Sequence, residues 1–490
     1  MSRIVKTINP EVVARTARRC RERGIIIPSY AQMRDPGLIP AAVKARLKGV
    51  GLWDVNPVNL FRITWKNDPA SGQFGAPNAF EIPRAITGVK ARIIGLVGKF
   101  FPTGAHKVGA AFSCLVPRLV SGEFDPEKHK AVWPSTGNYC RGGAFDSVIL
   151  GCTPVAVLPE NMSRERFQWL EKIGSEVIAT PGCESNVKEI YDKCWELRKT
   201  RGSAVSIFNQ FEEFGNAIWH YEMTGANVEQ IFNLIKKPGS RLAGYVSATG
   251  SAGTIAAGDY LRTRFPHVKV IATEALQCPT LLMNGFGGHR IEGIGDKHVP
   301  WIHNVRNTDM VAAIDDEQCM CLLRLFNEEE GVKFLDGAGI KAELREKLPL
   351  VGISSICNLV AAIKAAKYWE LTENDVIFTP MTDSMDLYKS RKQELRDEHG
   401  AYSRELAARH FSRYLEGIEP DHLRELSYPD RKALHNLKYF TWVEQQGKTV
   451  EELHQLWNPD FWTETFAQVP EWDKLIVEFN ERTGLLKSMA

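Results

Sequence analysis

One lysine stands among small and apolar residues in the stretch FFPTGAHKVGAAF, residues 100–112. Lysines in turns are commonly solvated surface residues. In surroundings of low dielectric the ammonium form is disfavoured, and the neutral amine is a nucleophile that can form a Schiff base. Gly104, Ala105 and Gly109 leave room for a flat aldehyde beside Lys107. The stretch therefore predicts either an exposed lysine or a Schiff-base lysine.

A second candidate site is SATGSAGTIAAGDYL, residues 247–261, where a β-type run passes through small residues into a helical pattern. Such a turn lets backbone N–H groups converge on a phosphate at a helix N-terminus. Gly250 and Gly253 permit close approach, and Ser251 and Thr254 add hydroxyl donors. The pattern is neither the P-loop nor the dinucleotide fingerprint. A phosphate-binding loop and a structural turn without ligand both stay open here.

A third stretch, WPSTGNYCRGGAF, also follows a strand pattern and opens a helix. Its polar residues Ser135, Thr136 and Asn138, with the local N–H groups, are suited to hold a carboxylate. The alternative is a cluster that only caps the helix.

A fourth stretch, VIFTPMTDSMDLY, residues 376–388, ends a strand pattern in hydroxyl-bearing residues. Thr382 or Ser384 could exchange one hydrogen bond with a ring nitrogen. Taken alone, the stretch is typical of an ordinary turn.

The elements that must position these stretches alternate regularly from about residue 131 onward. Short β-branched runs separated by helical segments of ten or more residues indicate parallel sheets in an α/β protein. Beyond about residue 390 the pattern is charged and helical. The tryptophans of that extension, Trp442, Trp457, Trp462 and Trp472, are expected to be packing anchors.

The composition of the 490 residues excludes several classes of function. The net charge of +2, from 61 basic and 59 acidic side chains, gives no nucleic-acid or membrane-surface footprint. No apolar run is long enough to span a membrane. The ten cysteines include no C-x-x-C pair, so neither a zinc site nor another metal site is expected. Cys319 and Cys321 are expected to be buried packing thiols. This cysteine usage, with no signal peptide, indicates the reducing cytoplasm.

Four parts are needed to bind pyridoxal phosphate and an amino acid, and the sequence offers a candidate for each. They are Lys107, the loop at 135–138 that suits a carboxylate (the carboxylate-type loop), the loop at 250–254 that suits a phosphate (the phosphate-type loop), and the hydroxyl of Thr382 or Ser384 (the late hydroxyl). Over roughly residues 55–390 the chain resembles the fold-type II pyridoxal-phosphate enzymes, the group of cysteine synthase, cystathionine β-synthase and tryptophan synthase β-subunit. The stretches that carry the resemblance, in the family's order, are STGN, TPVAVLPENMSRERFQWLEKIGSEVIATPG, NQFEEFGNAIWHYEMTG, GSAGTIAAG, HRIEGIGDKHVP and VGISS.

The resemblance implies a role for each matching residue. Lys107 would form the Schiff base and move the α-proton, and Asn138 would contact the 3-hydroxyl of the cofactor. Thr382, or else Ser384, would contact the pyridine nitrogen. The remaining implied residues are Gly250, Ser251, Ala252, Gly253 and Thr254 for the phosphate, Ser135, Thr136, Gly137 and Gln210 for the substrate carboxylate, and Gly293 and Gly295 at the border of the site.

The chain also departs from the cysteine synthase pattern. Those enzymes have Ser-x-Lys-Asp-Arg around the lysine, whereas TGAHK here is similar to the tryptophan synthase β-subunit. Ser251 and Ala252 stand where the cysteine synthases usually have Thr and Gly. The C-terminal extension matches no piece of the family. These differences leave the second substrate open more than the cofactor.

The resulting expectation is an α/β protein with two open parallel-sheet domains and a helical C-terminal extension. Residues 1–125 and 220–390 would form a large cofactor-binding domain, 126–219 a small mobile substrate domain, and 391–490 the extension. A homodimer is implied by the resemblance.

The implied reaction is a β-replacement on a serine-type amino acid (O-acetylserine, O-phosphoserine or serine), through an aminoacrylate, with a small nucleophile as second substrate. The alternatives are a β-eliminating ammonia-lyase, of the serine/threonine dehydratase or cysteine/cysteate lyase type, and a catalytically silent binding subunit.

Overall fold

The strands form two sheets in the computed structural model, which describes residues 3–183 and 185–489. In chain order they are β1 Ala79–Ile82, β2 Arg92–Val97, β3 Lys130–Pro134, β4 Thr153–Pro159, β5 Glu176–Thr180, β6 Val205–Ile207, β7 Arg241–Ala248, β8 Lys269–Ala275, β9 Met310–Ile314, β10 Asp375–Met381 and β11 Leu423–Glu425. One sheet has seven strands in the order β1-β2-β10-β7-β8-β9-β11, and the other has four in the order β5-β4-β3-β6.

Helices connect these strands and then make up nearly all of the extension. Up to residue 390 the α-helices that begin there are α1 Pro10–Glu22, α2 Tyr30–Arg34, α3 Ala41–Leu47, α4 Arg84–Thr87, α5 Lys107–Ser121, α6 Asn138–Ile149, α7 Arg164–Lys172, α8 Val187–Arg201, α9 Phe214–Trp219, α10 Ala226–Ile235, α11 Ala256–Arg264, α12 Thr280–Met283, α13 Asp316–Asn327, α14 Glu329–Gly337, α15 Ala342–Arg345, α16 Ile353–Tyr368 and α17 Lys389–His399. The later helices are α18 Arg404–Phe411, α19 Tyr428–Asn436, α20 Val450–Gln455, α21 Pro459–Phe466, α22 Val469–Thr483 and α23 Leu485–Met489.

The predicted α/β fold with two parallel sheets and a helical extension is confirmed, with two antiparallel edge strands in the larger sheet. The four-stranded sheet is parallel throughout. In the larger sheet β1 runs antiparallel to β2, because residues 83–91 are too few for a parallel crossover. The short strand β11 of the extension pairs antiparallel with β9, which the helical pattern of the extension did not predict.

Three adjacent parallel strands bring distant loops to one edge of the larger sheet. β10 pairs with β2 up to the partners Met381 and Val97, and its other neighbour is β7. Parallel strands end at the same edge, so the segments after β2, β7 and β10 emerge side by side. Those segments lead to Lys107, the loop at 249–254 and Thr382. In the smaller sheet, β3 and β6 likewise place Ser135 and Gln210 at one edge.

Helix α5 is the central element between the two sheets. All of its residues except Arg118 are buried, which accounts for its apolar character on every side. Glycines let its neighbours approach closely: a Cβ on Gly142 of α6 would lie 2.7 Å from the Cα of Val108, and one on Gly109 would lie 2.0 Å from the Trp219 ring. The start of α5 is therefore fixed against both α6 and α9.

The C-terminal extension packs against the rest of the chain. Trp442, Trp462 and Trp472 are buried, as expected for packing anchors, whereas Trp457 is partly exposed. The buried Lys438 donates to the carbonyls of Trp301 and His303 at 2.9 and 2.7 Å. The extension thus holds the segment that follows Gly293 and Gly295.

Two further findings concern cysteines and membrane spans. Cys319 and Cys321 are buried, which confirms their expected packing role. By length and composition, no single helix of the described residues qualifies as a membrane span, although the bent pair Ala342–Leu350 and Ile353–Tyr368 passes that test jointly. The predicted domain boundaries stay predictions, since the sheets alone do not test them.

The contact between Asn480 and Ile27 gives a test of how the extension supports the fold. The Asn480 side chain accepts from the Ile27 N–H at 3.1 Å and donates to its carbonyl at 2.8 Å, inside the protein. Asn480→Ala leaves both backbone groups buried and unsatisfied, so we expect a loss of about 2 kcal/mol in the free energy of unfolding. Urea denaturation measures this loss. The exposed Asn233→Ala serves as control, and equal stability of the two variants would contradict the assignment.

Candidate cofactor and substrate site

The loops at the edge of the larger sheet surround one narrow cavity. Its lining residues are Lys107, Ser247, Ala248, Gly250, Ser251, Ala252, Thr254, Gly293, Ile294, Asn358, Pro380 and Thr382. Lys107, most of the phosphate-type loop and the late hydroxyl, predicted from separate stretches, therefore meet in space. Asn358 is an addition that sequence reasoning missed.

Lys107 lies at the first position of α5 and is 8% exposed. The sequence left an exposed and a buried lysine open, and the structure has the buried one. A cation at a helix N-terminus is opposed by the helix dipole, which favours the neutral amine there. His106, directly before it, is buried, and burial, followed by the neighbouring Lys107, lowers the pKa of its ring to about 3. The imidazole is therefore neutral at physiological pH.

The loop between β7 and α11 has the geometry of an anion-binding turn. Ala252, four residues before the first residue of α11, adopts a left-handed conformation with φ of 60°. A Cβ on Gly253 would lie 1.9 Å from Oδ1 of Asn216, so any other residue here would have to displace the Asn216 side chain. Nδ2 of Asn216 donates to Oγ of Ser251 at 3.0 Å and holds the loop. Backbone N–H groups at such a helix start suit a phosphate.

The predicted hydroxyl also lines the cavity. Thr382 lines the cavity, and its carbonyl accepts from the N–H of His106 at 3.3 Å, which ties it to the segment before Lys107. Ser384 is buried at the start of a short 3₁₀ turn and is not among the described residues that line the cavity. Of the two alternatives, Thr382 therefore has the better position.

Asn358 presents an unsatisfied acceptor to the same cavity. Its Nδ2 donates to the carbonyl of Pro380 at 3.1 Å, while its buried Oδ1 has no donor among the residues that the structure describes. A buried acceptor without a partner is costly unless a ligand supplies a donor. A buried lysine, an anion-binding turn and unpaired polar atoms in one narrow cavity fit pyridoxal phosphate.

The carboxylate-type loop lies at the end of β3 and the start of α6. Ser135 and Thr136 are buried, and Oγ of Ser135 accepts from the N–H of Gly137 at 3.0 Å. Gly137 has φ of 144° and packs against Arg166, whose Nε would be 2.5 Å from an added Cβ. Asn138 donates through Nδ2 to Oδ2 of Asp383 at 2.6 Å, and its buried Oδ1 has no partner among the described residues. These four residues are not among the described lining of the cavity, and they adjoin it through Asp383.

Gln210 is connected to the phosphate-type loop through Asn216. The carbonyl of Gln210 accepts from Nδ2 of Asn216 at 3.0 Å, and the same amide holds Ser251. Oε1 of Gln210 is buried and without a partner in the described chain. Of the two border glycines, Gly293 lines the cavity, whereas Gly295 packs against His289.

A buried charge network next to Thr382 was missed by sequence reasoning. Asp383 is fully buried and accepts from Asn138 and from the hydroxyl of Tyr388, the latter at 2.7 Å. Arg166 contacts Glu292, Tyr388 and, at 3.9 Å, Asp383. Burial raises the pKa of the Asp383 carboxyl, and the Arg166 guanidinium offsets this only in part. No local pattern marks these residues, because their partners come from distant segments.

Comparison with known proteins is consistent with this geometry. A family model described as pyridoxal-phosphate dependent enzyme matches residues 99–342. A cysteine synthase of Staphylococcus aureus is 28% identical over 290 residues, 59% of this chain and 84% of that protein. The cystathionine β-synthase of Saccharomyces cerevisiae is 26% identical over 385 residues, 76% of this chain and 71% of that protein.

Solved structures resemble the chain in fold. The O-acetylserine sulfhydrylase isoform 3 of Entamoeba histolytica has a TM-score of 0.56 at 22% identity, covering 70% of this chain and 93% of that one.

The contact at Gly253 tests the phosphate-type loop. In Gly253→Ala the new methyl group must displace Asn216, which also holds Ser251, so we expect cofactor affinity to fall about tenfold or more. Titration of the apoprotein with pyridoxal phosphate, followed by absorbance, measures this. Gly75→Ala is the control, because its Cβ would lie 3.8 Å from the nearest described heavy atom. Unchanged affinity in Gly253→Ala would argue against a phosphate in this loop.

Proposed function

Since the chain is a pyridoxal-phosphate-dependent enzyme of fold type II, similar to cysteine synthases, we propose that it catalyses β-replacement on a serine-type amino acid. The proposed amino-acid substrate is O-acetylserine, O-phosphoserine or serine, and the second substrate is a small nucleophile such as sulfide. The observation that carries the proposal is the single cavity lined by Lys107, the phosphate-type loop and Thr382. The resemblance to cysteine synthases supports the reaction type.

In this proposal five groups hold the cofactor. The turn from Gly250 to Thr254 would bind its phosphate, and Lys107 would hold its aldehyde group. Thr382 would contact the pyridine nitrogen and Asn138 the 3-hydroxyl, for which the unpaired Oδ1 of Asn138 is an available acceptor. Asn358 offers a further acceptor to the bound ring. Pyridoxal phosphate, when bound, supplies an electron sink for negative charge at the substrate α carbon.

Lys107 is the proposed acid–base group. Its amine takes the proton from the α carbon, and the leaving group then departs from the β carbon with the bonding electrons. Low exposure and the start of α5 both favour the neutral amine that this step requires. The neutral His106 beside Lys107 adds no positive charge to this part of the site.

The start of α6 is the proposed binding site for the substrate carboxylate. Ser135, Thr136 and Gly137 provide hydroxyl and backbone N–H donors at the positive end of the α6 dipole. Gln210 assists from the end of β6. Closure of residues 126–219, the proposed small domain, over the substrate would exclude water and favour replacement over elimination.

The cellular compartment and the oligomeric state are also proposals, and each is supported by fewer observations. The ten cysteines are free, which suits a reducing compartment such as the cytoplasm. A homodimer is proposed by resemblance to the cysteine synthases, and light scattering of the purified protein tests it against a monomer.

The proposed reaction is tested by supplying candidate substrates to the holoenzyme. We expect that O-acetyl-L-serine, O-phospho-L-serine or L-serine yields cysteine when sulfide is present, measured by chromatography. L-cysteine and L-threonine complete the panel as substrates for elimination. Release of pyruvate or 2-oxobutanoate with ammonia, at equal rates with and without sulfide, would instead identify an ammonia-lyase. No product from any of these amino acids would refute the substrate class.

The role of Lys107 is tested by substitution. Lys107→Ala removes the proposed acid–base group, so we expect turnover to fall at least about 100-fold. Steady-state rates with the best substrate of the panel measure this, and circular dichroism checks that the variant is folded. Lys188→Ala is the matched control, because that lysine lies on the surface in an ion pair with Asp192. Similar rates for both variants would contradict the assignment.

A further inference from the structure

Arg141 is a buried cation in the first turn of α6. It is 4% exposed, and its Nε and Nη1 are buried without an acceptor among the residues that the structure describes. Its guanidinium carbon lies 4.7 Å from the centroid of the Trp169 ring. A cation over an aromatic ring gains some stabilisation, but its N–H groups gain no acceptors from it. The Arg141 guanidinium is therefore buried with two of its nitrogen atoms lacking a hydrogen-bond acceptor.

The ionisation of Arg141 does not remove this cost. Burial, followed by the nearby Arg166 charge, lowers the pKa of the Arg141 guanidinium to about 10, so it remains protonated near neutral pH. A buried charge without hydrogen-bonded partners is strongly destabilising. An anionic ligand would supply the acceptor oxygens that the described residues do not provide for Arg141.

The neighbouring carboxylates are shared with other groups. Glu292 is paired with both Arg166 and Arg391. Asp383 accepts from Asn138 and Tyr388 through Oδ2, while its Oδ1 lies against Gly352. Arg391 is also paired with Glu394, so Arg166 and Arg391 both have carboxylate partners. Among these three arginines, Arg141 is the one for which the described residues supply no carboxylate partner, and its Nε and Nη1 have no acceptor there.

The unpaired guanidinium of Arg141 adjoins the proposed substrate site. Arg141 follows the carboxylate-type loop by one helical turn, and Asn138 on the same helix contacts Asp383, the residue after Thr382. Arg166 packs directly on Gly137 of that loop. The positive end of the α6 dipole acts in the same place. An anion on the substrate side chain would therefore find a second positive centre beyond the one for its carboxylate.

We propose that Arg141 recognises an anionic β-substituent of the substrate, a phosphate ester or a sulfonate, so that the enzyme prefers such an amino acid to O-acetyl-L-serine. This inference rests on the proposed function and narrows it. The bond from the β carbon to the oxygen or sulfur of the substituent breaks, and phosphate or sulfite leaves with the bonding electrons. Arg141 donates hydrogen bonds to the departing anion. The sulfur of sulfide forms the new bond at the β carbon, and the α-proton held by Lys107 returns.

The test compares charged and neutral substrates. Values of kcat/KM are measured with O-phospho-L-serine, L-cysteate and O-acetyl-L-serine, each with sulfide, for the wild type, Arg141→Gln and Arg141→Lys. We expect the wild type to have a higher kcat/KM for O-phospho-L-serine or L-cysteate than for O-acetyl-L-serine. A preference for O-phospho-L-serine would identify the recognised group as a phosphate ester, and a preference for L-cysteate would identify it as a sulfonate. Arg141→Gln should lower kcat/KM for that substrate about 10- to 100-fold, and much less for O-acetyl-L-serine. Arg141→Lys should recover part of the loss.

Arg198→Gln is the matched control, because that arginine also lies over a tryptophan, Trp195, but on the surface helix α8. It should behave as the wild type. A wild type that prefers O-acetyl-L-serine, with Arg141→Gln lowering all substrates equally, would overturn the role of Arg141 and leave the proposed function standing. Turnover of none of the three would overturn the role of Arg141, and the proposed function would be overturned as well if L-serine also gives no product.

A binding measurement keeps the inference testable if Arg141→Gln does not fold. Inorganic phosphate or sulfite, titrated into the wild-type holoenzyme, should change tryptophan fluorescence and compete with the preferred substrate. The fluorescence change should be lost in Trp169→Phe. This substitution keeps an aromatic ring at the position under Arg141 but removes the indole that reports on binding. If neither phosphate nor sulfite competes with the preferred substrate, the inference is overturned.

Discussion

The parallel alignment of β2, β10 and β7 is the constraint on which the site depends. Because these three strands are neighbours and run in one direction, their carboxyl ends meet at one edge of the larger sheet. The lysine, the late hydroxyl and the phosphate-type loop follow those ends. Helix α5 then carries Lys107 between this sheet and the smaller one, and Gly109 and Gly142 allow the close packing that this position requires.

Charge is distributed unevenly around the cavity. Near Lys107 the structure keeps further charge away, since His106 is neutral and the other described residues that line the cavity are uncharged. Near α6 it concentrates guanidinium groups and buried carboxylates instead. Such networks rarely add stability, because desolvation cancels much of the attraction. In our proposal, the unpaired Arg141 beside this network serves to recognise an anion of the substrate. The two environments fit a reaction that needs a neutral amine and an ionic substrate.

Local sequence predicts the parts of the site that are contiguous in the chain. The turn at 250–254 and the lysine at the start of α5 are recognisable because the glycines and the helix starts lie within a few residues of one another. The contacts of Asn138 with Asp383, and of Arg166 with Glu292, join segments more than 120 residues apart, and no spacing rule reveals them. For the same reason the edge strand β11 was not predicted: its three residues gain β structure from pairing with β9. That Thr382 lines the cavity, and that Ser384 is not among its described lining residues, emerges only from the three-dimensional structure, and the contact to the pyridine nitrogen stays a prediction.

The central claim is that Lys107 is the residue that binds pyridoxal phosphate. Borohydride reduction of the holoenzyme fixes the cofactor covalently on the amine that holds it, and peptide mass spectrometry then identifies the modified residue. The account predicts a single phosphopyridoxyl group, located on Lys107. A modified lysine elsewhere, or no modified lysine in a protein saturated with the cofactor, would contradict it.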